Sequence, residues 1–591
     1  METFFARMIG KLLGDGTIIK QEGRRPRFQF MHRVEDVEWA HYCYEQLRDY
    51  IPLSEPTYGR VKDNRLQKGY SERYMVQSST HEWIDQLYDI WYPNKMKAIP
   101  ITYLEQYFTA ESLAWWYQDD GHLKKNKEGV VEKLILSTER WTDEERELLK
   151  YILNLKFNLL FSVDGQKRLL LYDQLQINYF LQLVEPWMHP VMIRKMKTAS
   201  PYKTIAKRTT LTVTSNFQFE RPTKELNEAI SHYIDNVELN AQYFQKWNYA
   251  RRERNEMKSY QITLTDDNRQ KLAQVQVKTG LTLNEITQHC LSERATEHFE
   301  PKELQQLDQF TTTQKNIVLG SIMGDGMLRY NEHKSGSSSS YYEHYGMKQK
   351  KYREWKTLKL APFWKITPKG NSILSRVAPL WKELESHFYQ HQPNDQRIKR
   401  IPSLFFDEAK QPEAVATLFL DDGSLLISPR VNHRSNTIFL TPHIALYLQN
   451  FTKQELERLS DWFTQRTDVP FRLTKRPDGH GYYLRTSQTA HTLQFLKCLS
   501  SITDTCPSMA YKSNWSYRFA KEREKWQAKH PHYRVVTSSR ERMRPYTEEE
   551  IETIITMKRN GETDQSIADQ LGRTYWAIVY KVSELRKSHI L

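Results

Sequence analysis

The chain predicts an α+β protein: two tandem copies of one unit, with antiparallel sheets under helices, then a small α-helical domain at the C-terminus. Three observations predict this. Four short acidic-glycine signals close apolar segments of helical period and fall into two pairs. Strand-like stretches in which basic or polar residues alternate with aromatics follow them, as in Arg24-Arg25-Pro26-Arg27-Phe28-Gln29-Phe30-Met31-His32-Arg33. The stretch 545–591 carries three short helical patterns punctuated by Gly561 and Gly572.

The four signals are Leu12–Gly16 (LLGDG), Gln118–Gly121 (QDDG), Ile322–Gly326 (IMGDG) and Leu420–Gly423 (LDDG). A single Asp-Gly after an apolar run is a helix stop, because glycine takes the left-handed turn there. Four with matched spacing and flanks are a repeat. Asp15 and Asp120 are 105 residues apart, and Asp325 and Asp422 are 97 apart. Lys97-Ala98-Ile99-Pro100 and Lys399-Arg400-Ile401-Pro402 each place a lysine 23 residues ahead of the second aspartate. After each second signal comes another pair of matched segments, His189-Pro190 through Arg194-Lys195 and Cys506-Pro507 through Tyr511-Lys512. Gly10 and Gly14, and again Gly320 and Gly324, remove side-chain bulk where two helices can approach.

These residues resemble the LAGLIDADG homing endonucleases, in particular the single-chain, intron-encoded type. The segment Lys97–Gly121 (KAIPITYLEQYFTAESLAWWYQDDG) carries the resemblance most closely, and the second unit keeps every anchor position. Arg194 departs from the family, which usually has there the tyrosine that Tyr511 supplies. The resemblance implies αββαββα pseudo-dimers with saddle-like antiparallel sheets. It implies units over 1–215 (motifs 5–16 and 112–121) and 305–528 (motifs 315–326 and 414–423). It implies Asp15, Asp120, Asp325 and Asp422 as ligands of Mg²⁺ or Mn²⁺, and Lys97, Lys195, Lys399 and Lys512 as active-site cations. It further implies sequence-specific double-strand breaks in a long DNA site, with short 3′ overhangs.

The chemistry suits these residue types. Phosphodiester hydrolysis needs a positioned water, a cation near the phosphate and stabilisation of the leaving oxygen. Mg²⁺ takes oxygen ligands and keeps several waters, so one or two carboxylates suffice. An aspartate at a helix C-terminus faces the negative end of the dipole, and two together repel; a cation relieves both. Asp119 and Asp421 read as structural neighbours of these ligands. On the same fold, the alternatives are an RNA maturase acting on intron RNA, or a non-cleaving DNA-binding regulator. The presence of all four aspartates and lysines favours the nuclease.

Between the units, 220–257 reads as a helical linker. The segment 258–299 reads as strand, helix, turn, helix and resembles a ribbon-helix-helix DNA-binding module. Its groove-facing residues would be Gln261, Thr263 and Thr265; such modules normally work as two copies, and the reading finds one. Lys334-Ser335-Gly336 and the four serines after it read as a flexible loop. At the C-terminus, Thr547 with Glu550 forms a capping box. The three helices of 545–591 look like a helix-turn-helix or Myb-like domain, with Arg573, Thr574, Tyr575 and Lys581 toward DNA. In the first unit, Arg24, Arg25 and Arg27 are the candidate DNA contacts.

Composition agrees. A length of 591 residues calls for several domains. A net charge of +14 points to a polyanion partner, most simply nucleic acid, and the resemblance makes that partner double-stranded DNA. The four scattered cysteines exclude a zinc motif and a disulfide framework and suggest a reducing interior, cytoplasmic, nucleoid-associated or within an organelle. No apolar run reaches the ~20 residues of a membrane span. The N-terminal apolar stretch holds Arg7 and Lys11 and reads as a motif helix, not a signal peptide. A monomer is expected, except through dimerisation of the ribbon-helix-helix-like module.

Overall fold

The computed structural model describes every residue except 1, 63, 65–66, 68, 197–203, 299–303, 334–335, 393–395, 477–478, 539–545, 574 and 589. The first half opens with α1 (Glu2–Leu13), β1 (Thr17–Ile19), β2 (Arg27–Arg33), α2 (Val37–Leu47), β3 (Thr57–Lys62), β4 (Tyr70–Gln77) and α3 (Glu82–Trp91). After the short α4 (Ile101–Tyr107) the order recurs: α5 (Ala110–Asp120), β5 (Gly121–Lys125), β6 (Val131–Leu136), α6 (Asp143–Phe157), β7 (Ser162–Val163), β8 (Leu169–Leu171) and α7 (Gln174–Val184). A middle segment holds β9 (Arg208–Thr214), α8 (Pro222–Tyr233), α9 (Ala241–Ala250), β10 (Met257–Thr263), α10 (Asp266–Thr279) and α11 (Leu283–Glu297).

The second half repeats the first. It has α12 (Thr312–Met323), β11 (Met327–His333), β12 (Gly336–His344), α13 (Lys350–Lys359), β13 (Trp364–Ile366), β14 (Ser372–Ser375) and α14 (Pro379–Phe388). The hairpin β15 (Tyr389–His391) and β16 (Arg397–Lys399) and α15 (Ser403–Glu408) lead to α16 (Pro412–Asp422). There follow β17 (Gly423–Asn432), β18 (Thr437–Leu446), α17 (Lys453–Thr467), β19 (Arg472–Lys475), β20 (Tyr482–Arg485) and α18 (Thr489–Thr503). The chain ends with α19 (Ala510–Ser513), α20 (Trp515–Lys529), β21 (Arg534–Thr537), α21 (Glu548–Arg559), α22 (Asp564–Gln570) and α23 (Tyr575–Lys587).

The same helix–hairpin–helix–hairpin–helix order therefore occurs four times. The four sheets have strand orders β1-β2-β4-β3, β5-β6-β8-β7, β11-β12-β14-β13 and β17-β18-β20-β19, every neighbour antiparallel. This is the mixed, antiparallel architecture the motifs predicted. β2 is representative: Phe28, Phe30 and His32 point into the core while Arg27 and Arg33 stay exposed, the two-residue period of a strand covered on one face. Capping boxes at Thr109/Ser112, Thr142/Glu145 and Thr452/Glu455 start α5, α6 and α17. α1 lies against α5 and α12 against α16 over cores rich in tryptophan, including Trp39, Trp115, Trp116, Trp355 and Trp381.

Two stretches depart from the sequence reading. Residues 336–340 belong to β12 in register with β11, Gly336 opposite His333 and Ser340 opposite Arg329, where a flexible loop was expected; 334–335 of that stretch lie outside the described residues. The 220–257 stretch supplies α8 and α9, whose Leu226, Ile230, Phe244 and Trp247 share one core with the first half. Late in the second half, α20 packs on α4 and α6, and β21 joins β18 in parallel.

The chain divides into two compact units, 1–487 with 491–537, and 538–591 with 488–490. In the latter, Ile554, Ile567, Ala568, Ile578, Val582 and Leu585 form the core of α21–α23. Gly561 and Gly572 take φ of 85° and 59° at the two turns, a conformation that favours glycine.

Candidate active site

Each motif aspartate stands at the C-terminal end of a motif helix. The helices meet there because glycine lets them. A methyl group on Gly10 would lie 2.5 Å from Trp115 Cβ, and one on Gly14 would lie 2.5 Å from Asp119 Oδ2. At Gly320 and Gly324 the clashes would be with the Ala414 carbonyl at 2.6 Å and Asp421 Cβ at 2.6 Å.

The first aspartate of each DDG is a buried anchor. Asp119 accepts from Lys11 Nζ at 2.9 and 3.1 Å, from Trp39 Nε1 at 2.9 Å and from the Asp15 amide at 3.1 Å. Asp421 accepts from Lys356 Nζ at 3.0 Å on both oxygens, from Tyr352 Oη at 2.8 Å, from Arg353 at 3.2 Å and from the Asp325 amide at 3.4 Å. Asp15, His32 and Asp119, and likewise Asp325, Glu343 and Asp421, lie close enough together to hold a metal ion. The oxygens of Asp119 and Asp421 are nonetheless already saturated by buried donors.

Asp120 and Asp422 differ. Burial, then the charges of Asp15 and Asp119, push the Asp120 carboxyl up to about 7. Burial, then Asp325 and Asp421, push Asp422 up to about 7 as well. Arg140 only approaches Asp120, at 3.9 Å, and spends its hydrogen bonds on the carbonyls of Leu13 and Gly14, the latter at 2.7 Å. Crowded carboxylates whose neighbouring cations leave Asp120 and Asp422 raised are the hard oxygen donors a divalent cation needs, so the residues present fit Mg²⁺ or Mn²⁺.

The four lysines converge on the same ends. Lys97 Nζ donates to the Gly16 carbonyl at 2.9 Å, and Lys195 Nζ to those of Gln118 and Tyr117 at 2.7 and 3.2 Å. Lys399 donates to Gly324 and Gly326 at 3.0 and 2.9 Å, and Lys512 to Leu420 and Asp421 at 2.7 and 3.0 Å. Lys195 and Lys512 thus cap the negative ends of α5 and α16, while Lys97 and Lys399 hold the turns just past α1 and α12. Burial lowers Lys97 to about 7 and Lys195 and Lys399 to about 8, and lowers Lys512 as well. Arg194 does not stand in for the tyrosine; it pairs with Asp36 at 2.7 Å.

The two halves solve the same electrostatic problem from different helices. In the first, the ammonium on the buried aspartate comes from Lys11 of α1, with Cys43 of α2 beside it. In the second, Ser321 stands where Lys11 would be, and Lys356 of α13 supplies the charge from the position of Cys43. The outer aspartates differ too. Asp15 faces His32 Nδ1 at 3.2 Å, while His32 Nε2 lies 2.8 Å from the Lys11 ammonium. An ammonium only donates, so Nε2 accepts and Nδ1 carries the proton toward Asp15. Burial would raise Asp15, but His32, Lys11 and Lys195 hold it below its ordinary value. Asp325 instead faces the permanent charge of Arg353 at 2.5 Å. Lys11, His32, Arg140, Arg353 and Lys356 escaped the sequence reading; the one visible signal was a lysine inside the apolar run of α1.

The expected DNA contacts divide. Arg24, Arg25 and Arg27 are exposed, with Arg25 paired to Asp85. Gln29, Arg33, Arg73 and Gln77 join Arg27 on the outward sheet face, a set that strand pairing alone reveals. Gln261 and Thr263 are exposed on β10, but Thr265 is corrected: it lies past the strand and caps α10, its hydroxyl accepting from the Asn268 amide. Arg573 and Lys581 are each held in an ion pair within their own three-helix unit. Arg573 is 9% exposed and bound to Glu550 at 2.6 Å, stacked over Tyr546 at 3.9 Å. Lys581 is 14% exposed and pairs with Glu584 at 2.9 Å. Tyr575 is exposed, and Thr574 lies outside the described residues.

Among the described residues no helix is long and apolar enough to cross a membrane. The chain is 29% identical over 192 residues to a probable intron-encoded endonuclease of Wickerhamomyces canadensis, covering 32% of this chain and 81% of that protein. It is 31% identical over 197 residues to an uncharacterized protein of Methanocaldococcus jannaschii, covering 33% of this chain and 73% of that protein. Among solved structures, the homing endonuclease I-WcaI bound to its DNA recognition sequence aligns at 26% identity, over 33% of this chain and 86% of that one, with a TM-score of 0.30. A family model for the LAGLIDADG DNA endonucleases matches residues 5–178 and again 315–493. Those two matches take in all four aspartate-bearing helices and more than half of the sequence, and the chain belongs to the LAGLIDADG DNA endonuclease family.

Proposed function

We propose that the chain is a divalent-metal-dependent endonuclease that makes double-strand breaks at a long DNA site, its two halves forming tandem two-motif units. The observation that carries this reading is the pair of outer aspartates in each half, Asp15 with Asp120 and Asp325 with Asp422. They stand at adjoining helix ends, and the second of each pair is raised to about 7 by burial and then by like charge. Bound Mg²⁺ or Mn²⁺ would supply Lewis-acid stabilisation of the phosphate and leaving oxygen. Asp15 and Asp120, or Asp325 and Asp422, would hold it. Lys97, lowered to about 7, can hold or release a proton at Nζ near neutral pH and so orient an attacking water. Lys195 can meet phosphate charge from the α5 end, and Lys399 and Lys512 have the same places in the second half. The outward sheet residues from Arg27 to Gln77 would track the duplex. The C-terminal helices, through Tyr575 and the face of α23, would add a further DNA contact.

The test is incubation with a randomised duplex library. Mg²⁺ should give sequence-specific cuts with short 3′ overhangs, EDTA should abolish them, and Ca²⁺ should support binding with little cutting. Log affinity should fall with log salt by about 0.9 per neutralised phosphate. An RNA maturase or a non-cleaving regulator would bind without cutting, and a nearly flat salt response would point to a protein partner. The Arg353–Asp325 pair favours a second reading, in which the first half cuts more readily than the second. A permanent cation already neutralises Asp325, so the second half should need more Mg²⁺ for half-maximal cutting.

A further inference from the structure

The segment 208–297 contains the order strand, helix, helix twice: β9-α8-α9 and β10-α10-α11. The two strands pair antiparallel over seven residues, from Thr214 opposite Met257 to Arg208 opposite Thr263. The second copy that a two-stranded ribbon needs is therefore present in the same chain. Leu211, Val213, Tyr260 and Ile262 face inward and are buried. Outward stand three cross-strand pairs: Arg208 with Thr263, Thr210 with Gln261, and Thr212 with Ser259.

The edges of this ribbon are closed by side chains of the opposite repeat. On β9, the amides of Thr212 and Thr214 donate to Asn284 and Gln288 of α11, each at 3.0 Å. On β10, Asn227 of α8 donates to the Thr263 carbonyl at 3.0 Å and accepts from the Thr265 amide at 3.0 Å. Adding a strand from a partner would have to displace these contacts, so the outward face is the surface left for recognition. That face holds hydroxyls, one amide and one guanidinium at its centre, with Met257 exposed at its Thr214 end. It lacks the apolar centre of a protein-binding patch, and no acidic residue occurs in 204–215 or 257–265. Arg208 Nη2 donates to Gln261 Oε1 at 2.9 Å, which orients the amide with its N–H groups available. Lys207, immediately ahead of Arg208, is exposed.

We infer that 208–297 is a complete, single-chain ribbon that enters the major groove of duplex DNA, with Arg208, Thr210, Gln261 and Thr263 at base edges. The major groove admits a two-stranded ribbon, and guanidinium and amide groups read guanine and adenine there. The ribbon is fixed to the first half. Tyr179 and Phe244 stack at 3.8 Å, Arg251 pairs with Asp173, and Gly280 (φ 81°) sits so close that a methyl group would lie 2.4 Å from the Gln174 carbonyl carbon. Its contact therefore falls at a constant distance from the first half's cut.

This inference rests on the endonuclease reading, and the test separates the two. Full-length wild type and the triple variant R208A/Q261A/T263A are each used to select binding sites from a randomised duplex library in Ca²⁺, and the sites are then cut in Mg²⁺. Wild type should select a block of base pairs at one flank, at fixed spacing from the cut. The variant should lose that block and roughly 10- to 100-fold in affinity, while keeping its melting temperature and cut position, because these side chains point away from the core. Identical selected sequences and footprints for both proteins would overturn the ribbon. A flank block selected by wild type without any cutting would leave the ribbon standing and overturn the nuclease.

Discussion

Asp120→Asn should reduce cleavage by the first half by roughly 10²–10³-fold or more, the scale of losing one group that stabilises transition-state charge. The same change should make the metal-free protein more stable at pH 8. The amide keeps the volume but removes one of three clustered charges. The sign follows from the raised carboxyl. In the folded chain Asp120 sits at about 7, against 3.8 for an ordinary aspartate. Its contribution to stability is complete below about pH 4 and is lost as pH rises through 7. The full shift corresponds to ~4 kcal/mol. The side chain is 25% exposed, so solvent screening brings this to about 2 kcal/mol. Urea melts in EDTA should show the variant gaining on wild type between pH 5 and pH 8. Equal stability at pH 8 would mean the carboxyl is ordinary and its neighbours do not crowd it.

Lys356→Met should cost ~3–5 kcal/mol, the largest stability loss expected from a single surface-neutral change. Its Nζ lies 3.0–3.1 Å from both Glu343 and Asp421, and all three side chains are fully buried. Removing it leaves two carboxylates to share Arg353. Lys11→Met should act similarly on Asp119 in the first half. The different origin of the two ammoniums makes this sharper. Lys11→Ser combined with Cys43→Lys moves the charge from α1 to α2, the arrangement of the second half. The double variant should recover much of what Lys11→Ser alone loses, as a coupling energy in a double-mutant cycle. Additive losses would show that the two positions do not serve one carboxylate.

The motif helices, their pairing and the order of the lysines were legible because they are local: an apolar period, a glycine stop, a fixed offset to Lys97 or Lys399. Gly10 and Gly14 were legible for a similar reason, since a small residue every fourth position marks a close helix face. What the sequence hid depends on contacts between distant segments. β9 is a threonine-rich stretch whose partner strand begins more than forty residues later, so the ribbon read as half a module. Arg573 looked exposed beside a glycine turn, yet its partner Glu550 is also the capping-box residue of α21. The cations on Asp119 and Asp421 lie on non-equivalent helices, so aligning the two halves does not reveal them. Thr265 read as one more alternating strand residue, but the strand ends at Thr263 and the hydroxyl turns to cap the helix.

The central claim is that the outer aspartates at the four helix ends are the cleavage centres. Sequencing the ends produced from a randomised duplex library by wild type, by Asp120→Asn, by Asp422→Asn and by the double variant tests it most directly. Wild type in Mg²⁺ should leave short 3′ overhangs at defined sites. Each single variant should lose the cuts of its own half, and the double variant should bind the same sites without cutting. Full cleavage by the double variant, or wild-type cuts that persist in EDTA, would contradict the account.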